Sequence, residues 1–250
     1  MNGEGTYLYC IIRSSESRDF GPLGVGGMGD HVTTISFDDL SGVISNARTG
    51  RYAATRENTM AHEKAIEKVM SEGHTALPVR FSTVAGSVQE VRDVLRKRHR
   101  EFADLVRDMD NKVELGVKAL WRDIERVFAE IIEERSDIKA LKNEVARNSN
   151  RGSLMRVGEM VKEALEQKKE REAASIVNPL RKIAADFKKN TTYGDNMFLN
   201  AAFLVQRDRE KEFDNEIEAL TMKYEGRAKI KYVGPAPPFN FVNIVIHWDK

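Results

Sequence analysis

Cysteine is almost missing from this chain. Cys10 stands alone among 250 residues, so no internal disulfide can form, and a single thiol in an apolar run fits a reducing compartment. Long hydrophobic runs are missing as well. No stretch approaches the roughly 20 consecutive apolar residues of a spanning helix, and Met1 to Gly5 lacks the basic and apolar regions of a secretion signal. A soluble cytoplasmic protein without membrane contact is the expectation. Net charge is scarce too, with 40 Lys and Arg against 39 Asp and Glu, which leaves no global field to draw the chain onto nucleic acid. The five histidines, at 31, 62, 74, 99 and 247, form no pair at metal-ligand spacing. No metal and no other cofactor are expected.

The content that is present, 41% hydrophobic residues, suffices for two domains of ordinary size. Tyr7 to Ile12 is apolar on both alternating faces and reads as a covered strand. His31 to Phe37 and Gly42 to Ser45 flank the turn-like Asp38-Asp39 as a hairpin. His62, Ile66, Val69 and Met70 fall on one helix face that stops near Gly73. Leu77, Val79 and Phe81 alternate as a strand, and one helix follows from about Ser87 to Met109. These segments place an N-terminal α+β domain over residues 1–110.

A second domain is expected over 111–250, opening with a strand from Val113 to Trp121. A helical insert follows at about 122–190: stripes at Ile124 to Ile131, Ile138 to Val145 and Leu154 to Leu165, a reversal at Asn148 to Gly152, and a fresh helix start at Asn178-Pro179 carrying Leu180, Ile183 and Phe187. Met197 to Val205 reads as a central strand, Phe213 to Tyr224 as a helix ending at Gly226, and Ala228 to Tyr232 as a strand with one wet face. Pro235, Pro237 and Pro238 fall within four residues. Proline lacks the amide donor of a sheet ladder, so a stiff corner is expected before a last strand at Ile244 to Ile246. The order suits two ferredoxin-like or modified ferredoxin-like sheets, each backed by helices.

Motifs that carry chemistry are incomplete here. Gly24 to Gly29 spells G-x-G-x-x-G, but a strand rather than a phosphate-binding helix follows it, so a loop is expected. His62-Glu63 opens like a zinc-protease motif, yet Ile66 occupies the place of the second histidine, which leaves a hydrogen-bonded histidine at the core edge. No nucleophile elbow occurs, and Asp38-Asp39 and Glu133-Glu134 sit where solvated surface is the ordinary reading. No catalytic residue is nominated. The basic run Arg96 to Arg100 is interleaved with Glu90, Asp93 and Asp104 at helical spacing, giving charge pairs on a wet face. Tyr7 and Tyr9 alternate with apolar residues, which favours packing over stacking on RNA bases. A nucleic-acid-binding ferredoxin-like module is the alternative to a binding protein, and a hydrolase a third reading.

Four blocks carry a resemblance: Tyr7 to Ile12, Leu77-Pro78-Val79-Arg80-Phe81, Asn200 to Val205 and Gly234 to Val242. In content and order they resemble the gas vesicle protein F/L family (GvpF/GvpL) from Tyr7 to Ile246. The resemblance implies two α+β domains related to the ferredoxin-like fold, with extra helices in the second. It implies a noncatalytic accessory or minor structural role in gas vesicle assembly, with the hydrophobic major shell protein and other accessory proteins as partners. The apolar members of the blocks are expected in the core, leaving Arg80, Pro237, Pro238 and Phe239 as partner-contact candidates. Ala236, Phe239 and Ser82 depart from residues frequent in the family at those places.

Overall fold

Residues 3–147 and 151–248 are described in the computed structural model. They group into two units, one holding the chain up to Glu114 together with the part from Pro235 onward, the other Leu115–Gly234.

In the first unit the two-faced apolar run becomes the central strand β1 (Glu4–Arg13), whose residues from Gly5 to Ile12 are all buried. β2 (Thr33–Phe37) and β3 (Leu40–Arg48) form the expected hairpin, with Phe37 opposite Leu40 and Asp38 at φ 55° in the two-residue turn, a left-handed position that aspartate tolerates. β3 pairs antiparallel with one edge of β1, and β4 (Ala76–Pro78) with the other. The short β5 (Val84–Ala85) adds Thr6 opposite Ala85. The strand order is β2-β3-β1-β4, that of a ferredoxin-like sheet in which a glycine-rich loop replaces the first crossover helix. The register slips between Leu8 and Cys10, a bulge of the kind that re-aims neighbouring side chains.

Thr55 caps α1 (Arg56–Ser71) by accepting the Asn58 amide, and the helix buries His62, Ala65, Ile66, Val69 and Met70. The single helix expected from Ser87 divides at Arg98 into α2 (Val88–Lys97) and α3 (His99–Met109). Arg98 takes a non-helical backbone, and its guanidinium bonds Glu101 and the Val245 carbonyl. The split lets Val91 and Leu95, then Phe102 and Val106, reach one core. Phe81 leaves the expected strand, because β4 ends at Pro78 and Ser82 turns the chain at φ 66°.

The C-terminal segment departs most from expectation. Ile244 makes one parallel bridge to Val79 rather than a strand, and Val242 and Ile244 are buried with Leu8, Leu77, Leu95 and Phe102. Burial against the first sheet therefore claims a segment that strand pattern alone assigned to the second domain, and the expected partition at 110/111 gives way to a unit built from two stretches of chain.

The second unit repeats the topology. Its sheet runs β7-β8-β6-β9, from β6 (Lys112–Trp121), β7 (Asp186–Lys189), β8 (Met197–Gln206) and β9 (Ala228–Ala236). In chain order this is the same second-third-first-fourth arrangement. The first crossover carries α4 (Ile124–Glu134), α5 (Ser136–Arg147) and α6 (Arg151–Arg181), and the second carries α7 (Glu210–Lys223). Of the expected reversal at Asn148 to Gly152, residues 148–150 lie outside the described residues, and Gly152 is already within α6. Asn178-Pro179 starts no helix, since α6 runs through Pro179 and ends two residues later, while Phe187 belongs to β7. Pro235 lies inside β9, which an edge strand permits because its outward amide needs no partner.

Charges that read as surface are drawn inward here. Arg227 bonds Glu130 at 2.8 and 2.9 Å and Glu172 at 2.5 and 3.2 Å. Lys168, its side chain 7% exposed, sits 3.2 Å from Glu130 and 2.6 Å from Glu134, and Trp121 Nε1 donates to Glu172 at 2.7 Å. Glu134 stays exposed, as read from sequence, and still joins a network tying α4, α6, β6 and the start of β9.

Candidate functional site

The site is built on a pinned turn. Tyr7 and Tyr9, both fully buried, lie 4.7 Å apart between ring centroids. The Tyr7 hydroxyl accepts the Ser82 amide at 2.8 Å, and Ser82 Oγ accepts the Tyr52 amide at 2.8 Å. This holds the left-handed Ser82, and with it the direction of Arg80 and Phe81. Tyr9 Oη accepts the Val25 amide at 2.8 Å, fixing one end of the glycine-rich loop. Gly26, Gly27 and Gly29 adopt positive φ, and β2 follows the loop, so the phosphate motif is a turn-rich connection.

His62 projects from α1 into this cluster. Its Nδ1 is 3.1 Å from Tyr7 Oη. Because that oxygen already accepts from Ser82, its own proton is free to go to Nδ1, which places the imidazole hydrogen on Nε2. Nε2 is buried and closes no hydrogen bond, although the Val79 backbone lies near enough to offset part of the cost of burial. Burial pulls the imidazole pKa down to about 4 and pushes both tyrosine hydroxyls up. His62 is therefore a neutral, oriented donor at neutral pH, in keeping with a bonded histidine at the core edge.

Above it opens a cleft of about 330 Å³ whose walls come from α1, the Arg80 turn and the segment after the proline corner. Phe81 and Phe239 lie 5.7 and 6.2 Å from the His62 ring, and Val79, Val242 and Ile244 complete an apolar floor. Arg80, Glu63 and Asn243 stand exposed around it. The Arg80 guanidinium and the Glu63 carboxylate form no ion pair with any other described residue. The Thr59 hydroxyl is occupied by its own helix, donating to Thr55 and Arg56 carbonyls.

Of the four contact candidates, the structure brings Arg80 and the 39% exposed Phe239 together at this cleft. Pro237 and Pro238 are buried instead. The Pro238 carbonyl accepts the Phe241 and Val242 amides at 3.0 and 2.9 Å, so the two prolines form the stiff support behind Phe239 rather than a contact rim. Sequence reasoning missed Glu63, Phe81 and Asn243, and no periodic signal marks them, since their meeting depends on the return of the C-terminal segment.

Other candidate chemistry resolves into ordinary packing. Asp38, Asp39 and His99 bring ligand atoms within 4.8 Å of one another, but Asp39 is already bonded to Arg13 at 3.1 Å and His99 at 2.7 Å, and the guanidinium disfavours a further cation. Burial of Tyr7 and Tyr9 covers the ring faces that base stacking would need. Arg96 pairs with Asp93, and Arg92 bonds Gln89. Burial raises the Cys10 thiol pKa, which keeps it protonated.

Comparison with known proteins places this geometry in context. The family model described as gas vesicle synthesis protein GvpL/GvpF matches residues 5–243. The chain belongs to the GvpL/GvpF family. Gas vesicle protein F of a Streptomyces species is 29% identical over 242 residues, spanning 95% of this chain and 99% of the relative. The crystal structure of GvpF from an Anabaena species superposes with a TM-score of 0.84 at 23% identity, covering 98% of this chain and all of that one. That of GvpF from Microcystis aeruginosa gives 0.81 at 24%, over 95% and 98%. These likenesses establish the two-sheet α+β fold, and the GvpL/GvpF family makes this a gas vesicle-related protein. Among the described residues no helix is long and apolar enough to cross a membrane.

Proposed function

We propose that this chain is a noncatalytic gas vesicle assembly protein that binds the hydrophobic major shell protein, as an escort of unassembled subunits or as a shell-associated component, together with other gas vesicle accessory proteins. It would act in the cytoplasm and at the vesicle. The observation that supports this reading best is the cleft beside Arg80 and Phe239: an apolar floor held rigid by the Tyr7–Ser82–His62 bonds, rimmed by charges that form no ion pair among the described residues. Such a surface binds through burial and orientation. Its polar groups suit binding better than catalysis, because His62 is neutral and committed to Tyr7 through Nδ1 and the Thr59 hydroxyl is engaged. The physical need is plain, since an unassembled subunit with a water-repelling face exposes β-forming apolar segments that aggregate.

Co-expression of the tagged chain with the major shell protein tests the reading. Retention of the shell protein through purification, with weak dependence on salt, is expected. Failure of the full-length chain to retain it overturns the role, and a steep fall of affinity with salt points to a polyanion instead.

A further inference from the structure

We infer that the cleft is the seat for one short extended strand of a partner protein, with a bulky apolar side chain on the Phe81–Phe239 floor, the strand backbone beside Asn243, and a carboxylate against Arg80. This deepens the proposed binding role and rests on it. Three observations converge. Asn243 is exposed and makes no hydrogen bond to another described residue, while its neighbour Ile244 is bridged to Val79 on the inner side. Backbone groups of successive extended residues point to opposite sides, so Asn243 presents a sheet-like edge outward. The Val245 carbonyl is already taken by Arg98 at 2.8 Å, which confines the open edge to a short length and favours a short strand over a long one.

The second observation is His62 Nε2, a buried donor at the base of an apolar cleft that closes no hydrogen bond and has only the nearby Val79 backbone to offset its burial. A buried donor left unmatched is unfavourable, and an extended strand delivers carbonyl oxygens at regular intervals. Phe239, tilted against the imidazole at 6.2 Å and 39% exposed, is the side chain whose rotation opens the path. The third is charge. Arg80 and Glu63 line the same cleft and form no ion pair among the described residues, so a strand with an acidic residue on the Arg80 side of its apolar anchor is complementary, and one with a basic residue there is not.

The probe is a blocked seven-residue peptide of alternating threonine and valine with a central phenylalanine and an adjacent aspartate, titrated into the full chain and followed by amide and side-chain NMR. Saturable shifts at Arg80, Phe81, His62 and Asn243 are expected. Replacing the peptide aspartate by lysine weakens binding roughly three- to tenfold, as a screened rim pair permits, and Arg80→Glu reverses that preference. Methylating the peptide amide that faces Asn243 weakens binding if strand pairing holds the complex. Shifts confined to another surface, no saturation at millimolar peptide, or an unchanged preference in Arg80→Glu overturns the site. Purification with the shell protein separates this from the role itself. Equal retention by wild type, Arg80→Glu and Asn243→Pro refutes the cleft and leaves the role standing. Expected peptide behaviour with no shell protein retained refutes the role and leaves the cleft.

Discussion

Replacing Arg227 with methionine removes the centre of the ionic network while keeping a side chain of similar length. The guanidinium makes four bonds to Glu130 and Glu172, and the side chain is 31% exposed. Stripping one partner from a buried pair costs about 3–5 kcal/mol. Partial exposure and the contacts that survive reduce this: Glu172 keeps Trp121, and Glu130 keeps Lys168 at 3.2 Å. A loss of about 2–3 kcal/mol remains, worth roughly 4–10 °C in Tm for a unit of this size. Trp121 reports on this unit, because its ring stacks on Phe198 at 4.9 Å and its Nε1 bonds Glu172. Urea unfolding followed by Trp121 fluorescence in a Trp248→Phe background is the assay. The bonds from Arg227 hold the Glu130 pKa down, at about 2. With the folded value below the unfolded one of 4.5, the contribution is complete above pH 4.5 and is lost as pH falls toward 2. The wild type should lose stability across that window, and Arg227→Met should lose less. A change under about 0.5 kcal/mol, within the range of ordinary surface substitutions, refutes the view that this network fastens α4 and α6 to the sheet.

Three further outcomes follow from the first unit. His62, its pKa at about 4 against 6.5 when unfolded, contributes stability that is complete above pH 6.5 and disappears as pH falls toward 4. The window spans about 3 kcal/mol by linkage, and it should vanish in His62→Phe when unfolding is followed through Trp248. Tyr7→Phe leaves the Ser82 amide and His62 Nδ1 without their shared oxygen, so a loss of about 1–3 kcal/mol in chemical denaturation is expected. Gly5→Ala places a methyl group 2.8 Å from the Ala85 carbonyl. The pairing of β5 with β1 should give way, with a loss of about 1–3 kcal/mol and faster amide exchange at Val84 and Ala85.

Legibility followed the range of the interactions. Elements whose pattern is local were readable: the two-faced run at Tyr7 to Ile12, the Asp38-Asp39 hairpin and the stripe of α7 each depend on a periodicity that burial imposes on neighbouring residues. The break at Arg98 was not, because Val88 to Met109 keeps helical spacing on both sides of it and the cause is a bond to a carbonyl 147 residues away. Pro179 read as a first-turn proline, although the last turn of a helix packed through Ile176, Val177 and Leu180 accommodates it. Lys168 and Glu134 look like any charged helix residues, and only the packing of α4 against α6 brings them within 2.6 Å of each other. Of the residues nominated through motif resemblance, Arg80 and Phe239 line the cleft and Pro237 and Pro238 are buried, because stiffness says nothing about which side of a corner faces water.

The first sheet's dependence on residues from both ends of the described chain bears on synthesis. Leu8, Leu77 and Phe102 leave the ribosome more than 100 residues before Val242 and Ile244, and in that interval their shared core has an open side. The unit formed by Leu115–Gly234 has no such debt and can mature first, so vectorial emergence favours completion of the later-made lobe ahead of the earlier one. Until then the groove beside Arg80 lacks the wall that the segment after the proline corner supplies, and it is incomplete before translation has passed Ile244.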